Sequence, residues 1–245
     1  MWGGGPGGKS NREDAMINKI ISSAREAVTD IQDGATVMIG GFGTAGTPLA
    51  LIDALIEQGA RDLTVVNNNA GNADTGLAAL LKTKRVRKII CSFPRQPDSW
   101  VFDALYRAGE IELELVPQGN LAERIRAAGA GIGAFFTPTG YATLLAEGKE
   151  TREINGRQYV LEHPIHADHA LIKADRGDRW GNLVYRKTAR NFGPIMASAA
   201  KCAIAEVREI VELGILDPEA YATPGIFVQR VVRQPVLMLA EPRAA

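Results

Sequence analysis

Apolar residues along this chain alternate between short uninterrupted runs and longer stretches in which they return every three or four positions. The runs at 37–39 and 63–66 read as buried strands, the first covered on both faces, and 88–93 and 111–116 read as a third and a fourth strand. Between them, 49–56 with Gly59 as its stop, 77–81, 100–108 and 121–128 carry helical spacing. Trp100, Val101, Leu105 and Tyr106 are the expected inward face of the third of these. An opening amphipathic helix is predicted over 18–31 from Ile20, Ile21, Ala24, Ala27, Val28 and Ile31. Further strands are expected at 169–174, 183–186, 202–207 and 226–232, and a helix at 192–200. Strand and helix alternating with short connections predict an α/β fold, an open, mostly parallel sheet with helices on both faces. The stretch TREINGRQYVL interrupts it, because Asn155-Gly156 between strand-like flanks favours a type I′ hairpin and hence a small antiparallel insertion.

In an open parallel sheet, ligands gather at the carboxyl ends of the strands. Four polar loops fall there: the glycine-rich turn after 37–39, Asn67, Asn68 and Asn69, the segment 92–96, and 117–120. The first is the most distinctive. In DGATVMIGGFGTAGTP, Gly40, Gly41, Gly43 and Gly46 supply positive φ and bare backbone around Phe42, Thr44 and Ala45. Thr47 as N-cap and Pro48 in the first turn would then aim the N–H groups of the next helix at an anion. Gly41-x-Gly43-x-x-Gly46 also fits the dinucleotide fingerprint, but the following strand ends in three asparagines where that site needs a carboxylate. A plain strand-to-helix turn is the simpler alternative.

Taken whole, DGATVMIGGFGTAGTP resembles the first-subunit pattern of the family I coenzyme A transferases, with its Asp-Gly, apolar run, Gly-Gly-Phe and later Gly-x-Pro, and the likeness continues through most of 16–232. The resemblance implies that Gly40, Gly41, Phe42, Gly43, Thr44, Ala45 and Gly46 meet coenzyme A. It also implies that Gln118, in Pro-Gln-Gly, lies at the substrate site, where an amide offers a donor and an acceptor; capping a helix is its ordinary role. SFPRQPD resembles the 3-oxoadipate branch of that family, and Arg95 within it suits a substrate carboxylate as well as it suits solvent. GNLVYRKTARNFGP is another family block, and Arg186, Lys187 and Arg190 in it fit the 3′-phosphate of coenzyme A, a partner chain or solvent alike.

The same resemblance implies the chemistry. Coenzyme A moves from succinyl-CoA to a 3-oxoacid through a glutamate that becomes an acyl anhydride and then a thioester. In the family that glutamate sits in a Ser-Glu-Asn-Gly motif on a separate B subunit, and this chain has no such motif. Glu147 and Glu153 imitate it poorly and read as solvated charges. The expectation is an A subunit without a catalytic nucleophile, active in a hetero-oligomer with the CoA-transferase B subunit, using a coenzyme A thioester as substrate with no permanent cofactor and no metal. An acetoacetate-specific transferase subunit is the nearest alternative; a nucleotide or sugar-phosphate binding module is the alternative of another class.

Composition narrows the rest. Lys plus Arg and Asp plus Glu both number 28, so no net field draws nucleic acid or an anionic membrane. Two cysteines and the lack of a bilayer-length apolar run suggest a cytoplasmic protein. His163, His166 and His169 beside Asp168 invite a metal, but Pro164 and strand alternation scatter them. Residues 1–15 read as a disordered glycine-rich extension with Met16 as a natural start, 16–234 as one domain, and 235–245 as a loose tail.

Overall fold

A computed structural model of the chain describes residues 16–235. The expected extension and, beyond Pro235, the expected tail lie outside the described residues. In chain order the elements are β1 (Ile20–Ile21), α1 (Ala24–Ala27), β2 (Thr36–Ile39), α2 (Leu49–Gln58), β3 (Leu63–Val66), α3 (Leu77–Lys82), β4 (Val86–Cys91), α4 (Trp100–Arg107), β5 (Glu112–Leu115) and α5 (Gln118–Gly129). Then come β6 (Phe135–Thr137), β7 (Thr151–Ile154), β8 (Arg157–Glu162), β9 (Ala167–Asp178), β10 (Leu183–Val184), α6 (Gly193–Ala199), β11 (Ala200–Val211) and β12 (Arg230–Arg233).

The main sheet has nine strands. Eight lie in the order β1-β12-β11-β9-β2-β3-β4-β5 with all neighbours parallel, and β10 folds back antiparallel onto β9. Alternation along the central strands sends Val37 and Ile39 to one face and Met38 to the other. Helices α1 to α4 cover the first face; α5 and α6 cover the second. Leu51, Ile52 and Leu55 of α2 are fully buried, and each such side chain contributes roughly 1.5–3 kcal/mol relative to exposure. The second sheet, β6-β8-β7, is the antiparallel insertion. Asn155 (φ 51°) and Gly156 (φ 75°) make its left-handed turn.

Because all the central strands run parallel, their carboxyl ends form one rim. Strands β9 and β11 project beyond it: Ile39, the last residue of β2, pairs with Leu171, and β9 continues alongside β11 to Asp178. Strand β10 packs beside this projection, and the chain then descends toward the glycine loop.

Three stretches depart from the sequence pattern. The opening segment is not a long helix: Ile20 and Ile21 pair with Val231 and Val232, and α1 is four residues long. Edge pairing captures the first two apolar positions, and Ser23 caps the short helix by accepting from the Glu26 amide. Arg230 then binds the Ala27 carbonyl and both Asp30 carboxylate oxygens. In α4, Phe102 is buried beside Val101 and Leu105, whereas Trp100 and Tyr106 are 53% and 45% exposed. Trp100 lies under the Lys82 ammonium, and Tyr106 stacks on Phe102 from outside. The last strand begins at Arg230, not at 226, since Gly225–Phe227 closes a 3-10 turn that leaves Ile226 outward.

This packing ranks two aromatic deletions. Phe102→Ala is expected to lose about 3–5 kcal/mol, and Trp100→Ala less than about 1 kcal/mol. Urea unfolding of the two variants checks the order.

Candidate functional site

The rim is built from the ends of β2 to β5. After Ile39 the Gly40 amide donates to the Leu171 carbonyl, and Phe42 and Ala45 exchange backbone hydrogen bonds of 3.0 and 3.2 Å, closing a tight turn around Gly43 and Thr44. Two glycines in it have different reasons. A Cβ on Gly46 would stand 2.7 Å from the Ala189 carbonyl oxygen, so that glycine lets 186–190 pack against the loop. A Cβ on Gly43 would meet nothing within 4 Å, and its φ of +60° leaves bare backbone facing open space.

Next to this turn, the asparagines after β3 form a hydrogen-bonded ladder. Asn67 Nδ2 donates to the Ile39 carbonyl (2.6 Å), Asn67 Oδ1 accepts from the Asn69 amide (2.8 Å), and Asn69 Oδ1 accepts from the Gly71 amide (2.9 Å). The Asn68 carbonyl receives the amides of Ser92 and Phe93, and its side-chain oxygen accepts from Gln118 Nε2 at 2.7 Å. The asparagines therefore bond three of the expected loops to one another and tie them to the end of β2, where the glycine loop begins.

Two hollows flank the glycine loop. One is a cleft of about 120 Å³ lined by Gly43, Thr44, Thr47, Leu49, Asn67, Asn69, Gly71, Asn72, Thr75, Gly76 and Leu77. Asn69 Nδ2 and Asn72 Oδ1, from two of its lining residues, are buried without a hydrogen-bond partner. The other, about 310 Å³, is bounded by Phe42, Gln118, Gly119, Ala122, Asn191, Phe192 and Ile195. Complete small-molecule sites occupy roughly 300–1,000 Å³, and the first cleft is smaller than that. No carboxylate lines either hollow.

Of the expected site residues, Gly43 and Thr44 face the first cleft and Phe42 and Gln118 the second. Gln118 occupies the first turn of α5, with its amide committed to Asn68 and not to a helix cap. Arg95 lies outside both linings, paired through Nε with Asp103 at 2.6 Å. Glu147 is exposed at the end of a 3-10 turn, and Glu153 is exposed on β7 with Gln158. Asn72 was not legible as a site residue; the asparagine run before it was the available signal.

One expectation about the loop is overturned. Thr47 does not cap α2: its hydroxyl donates to the Gly43 carbonyl, and Pro48 occupies the N-cap position without a side-chain bond. The free amides at the helix start are taken from within. Glu206 on β11, fully buried, accepts from the amides of Ala50 (2.9 Å) and Leu51 (3.4 Å). Its other oxygen faces Lys173 Nζ at 3.3 Å. Burial pushes its carboxyl above the usual glutamate range, against the pull of Lys173 and the two amides. The start of α2 is thus already occupied by a side chain of this chain.

Three other titratable groups are shifted by burial. Burial pushes the Cys91 thiol up to about 12 and Tyr185, bonded to Thr223, also up to about 12. His169 sits in register with Val37 and Cys202 near the amino ends of the strands, the opposite side of the sheet, and burial lowers its pKa.

Comparison with known proteins gives this arrangement its class. The family model described as Coenzyme A transferase matches residues 21–234, and the chain belongs to that family. It is 73% identical over 217 residues, 89% of this chain and 94% of the relative, to the A subunit of 3-oxoadipate CoA-transferase from Pseudomonas putida. It is 68% identical, over 89% of this chain and 95% of the relative, to the protein of the same name from Acinetobacter baylyi. Among solved structures, an acyl-CoA transferase apoenzyme from Escherichia coli O157:H7 has the same fold, with a TM-score of 0.80 at 24% identity. The match covers 89% of this chain and 47% of that one, so this chain spans about half its length.

The Glu206 geometry makes a two-part prediction. Glu206→Ala strands Lys173 and two amides and should cost about 3–5 kcal/mol; Glu206→Gln, which keeps an acceptor, should cost less. With its folded pKa above the unfolded one, Glu206 binds more proton in the native state between the two values. Wild-type stability should therefore fall relative to Glu206→Gln as pH rises through that window. Denaturation of both proteins across pH 4 to 8 measures this.

Proposed function

We propose that this chain is the A subunit of a 3-oxoacid coenzyme A transferase that works with a separate B subunit to move coenzyme A from succinyl-CoA to 3-oxoadipate. The observation that carries the reading is the 73% identity, spread over 89% of the chain, to the corresponding chain of a 3-oxoadipate CoA-transferase. The rim supports it. Transfer between acids without an external energy source requires a carboxylate to attack the thioester carbonyl, expelling the thiolate and forming a mixed anhydride. The thiolate then attacks the enzyme's acyl carbon, leaving an enzyme thioester and the free acid, and the acceptor acid reverses both steps. The hollows contain amides, hydroxyls and bare backbone but no carboxylate. Glu206 is sealed behind α2. The nucleophile accordingly comes from the B subunit.

In this reading the present chain positions the substrate and excludes water. Gly43 lets the thioester approach the backbone, the unpartnered Asn69 Nδ2 and Asn72 Oδ1 meet polar atoms of the acyl group, and Gln118 contacts the substrate. A partner closing over the rim keeps water from the anhydride. Arg95 would leave Asp103 to hold the distal carboxylate of the acceptor. Free Cys91 and Cys202 accord with a reducing, cytoplasmic setting, and among the described residues no helix is long and apolar enough to cross a membrane.

The test is reconstitution. The isolated chain should not exchange coenzyme A, and addition of the B subunit should restore transfer to 3-oxoadipate. Borohydride treatment after incubation with succinyl-CoA should label a glutamate of the B subunit only. Turnover by the isolated chain, or a label on Glu147 or Glu153, would contradict the reading. In the complex, Arg95→Ala should weaken 3-oxoadipate by about 1.5–3 kcal/mol and leave acetoacetate, which has one carboxylate, nearly unaffected. Equal losses would remove Arg95 from the acceptor site.

A further inference from the structure

Two observations on either side of the glycine loop concern where a thioester's negative charge can go. On the inner side, the α2 amides that would receive a phosphate are filled by the buried Glu206 carboxyl group, which leaves no free donor there for a second acceptor. On the outer side, the 3-10 turn Lys187–Arg190 follows Arg186, and Arg186, Lys187 and Arg190 are all solvent-accessible. Lys187 is held at φ +51°, a left-handed conformation that a lysine rarely takes. The nearby carboxylates are already engaged: Asp175 with Arg208 at 2.8 Å and Glu206 with Lys173 at 3.3 Å. Arg186 also lies close enough to Asp175 to help depress its pKa. None of the three cations joins an ion pair among the described residues.

This segment is fixed to the loop. Asn191 Nδ2 donates to the Ala45 carbonyl at 3.0 Å and to the Thr188 carbonyl at 2.7 Å. The Ala189 carbonyl fills the space a side chain on Gly46 would need. Asn191 also borders the hollow that contains Phe42 and Gln118. A ligand whose reactive end lies at the rim and whose tail runs out through that hollow therefore passes Lys187–Arg190.

We propose that Arg186, Lys187 and Arg190 form the subsite for the phosphate-bearing nucleotide end of a coenzyme A thioester, and that the glycine loop faces its uncharged pantetheine arm. The inference rests on the coenzyme A transferase reading. It divides the ligand by charge: guanidinium and ammonium groups take the phosphates, and the loop, backed by a buried carboxylate, takes amides and methylenes.

The experiment uses the assembled two-chain complex with two donors, succinyl-CoA and succinyl-pantetheine, which carries the same thioester without phosphates. The Arg186→Gln/Arg190→Gln double variant and Lys187→Gln should each raise KM for succinyl-CoA by about 10- to 100-fold, with little change in kcat. KM for succinyl-pantetheine should stay within about twofold of wild type. In the wild-type complex, added salt should raise KM for succinyl-CoA and leave that for succinyl-pantetheine level, a readout independent of variant folding. Equal effects on both donors, no salt difference between them, or loss of complex formation as the primary defect would overturn the subsite and assign the segment to the partner interface. A wild-type complex that uses neither thioester would instead overturn the parent reading.

Discussion

The contact on which the rim depends is the one between Glu206 and the first turn of α2. A single carboxylate on β11 accepts from Ala50 and Leu51, 156 and 155 residues earlier in the chain, and faces Lys173 on the neighbouring strand. Because Glu206 is fully buried, losing these partners would leave polar atoms unpaired away from water. The start of α2 cannot shift without breaking those bonds, and the glycine loop ends where α2 starts. The conformation of Gly40 to Thr47 is thereby tied to β9 and β11 as well as to its own strand.

That constraint also sets the electrostatics of the site. A glycine-rich loop ahead of a helix is ordinarily a place for phosphate, because unsatisfied amides and the helix dipole point the same way. Here an internal carboxyl group occupies it. The rim is neutral and polar: bare backbone at Gly43, the buried, unpartnered groups of Asn69 and Asn72, and Gln118 held by Asn68. Such a surface can orient an acyl group and a pantetheine arm. In the proposed reading, group transfer needs a carboxylate opposite it, and a second chain brought over the rim would provide both that group and the dry surroundings in which an anhydride survives.

The fold was legible where apolar runs and glycine stops were strong. The runs at 63–66 and 77–81 and the Asn155-Gly156 hairpin fall where the pattern places them, and Gly59 ends α2 with φ +98° and its amide on the Leu55 carbonyl. It failed where tertiary pairing competes with helical spacing: Ile20 and Ile21 fit one helix face, yet the edge of β12 takes them. In α4 the choice between Trp100 and Phe102 for the core turned on the angle at which the helix meets the sheet, which periodicity alone does not set. At the site, the convergence of four loops followed from strand direction. The filling of the α2 start by Glu206 did not, because no local signal connects AEVRE in a late strand to a helix start more than 150 residues away.

The most direct measurement is a structure of the complex of this chain and its B subunit trapped with succinyl-CoA. The thioester carbonyl is expected between the B-subunit carboxylate and the rim, with acyl oxygens on Asn69, Asn72 or Gln118, and Glu206 still bonded to Ala50 and Leu51. A phosphate of the ligand on the amides of Ala50 and Leu51, with Glu206 displaced, would contradict it.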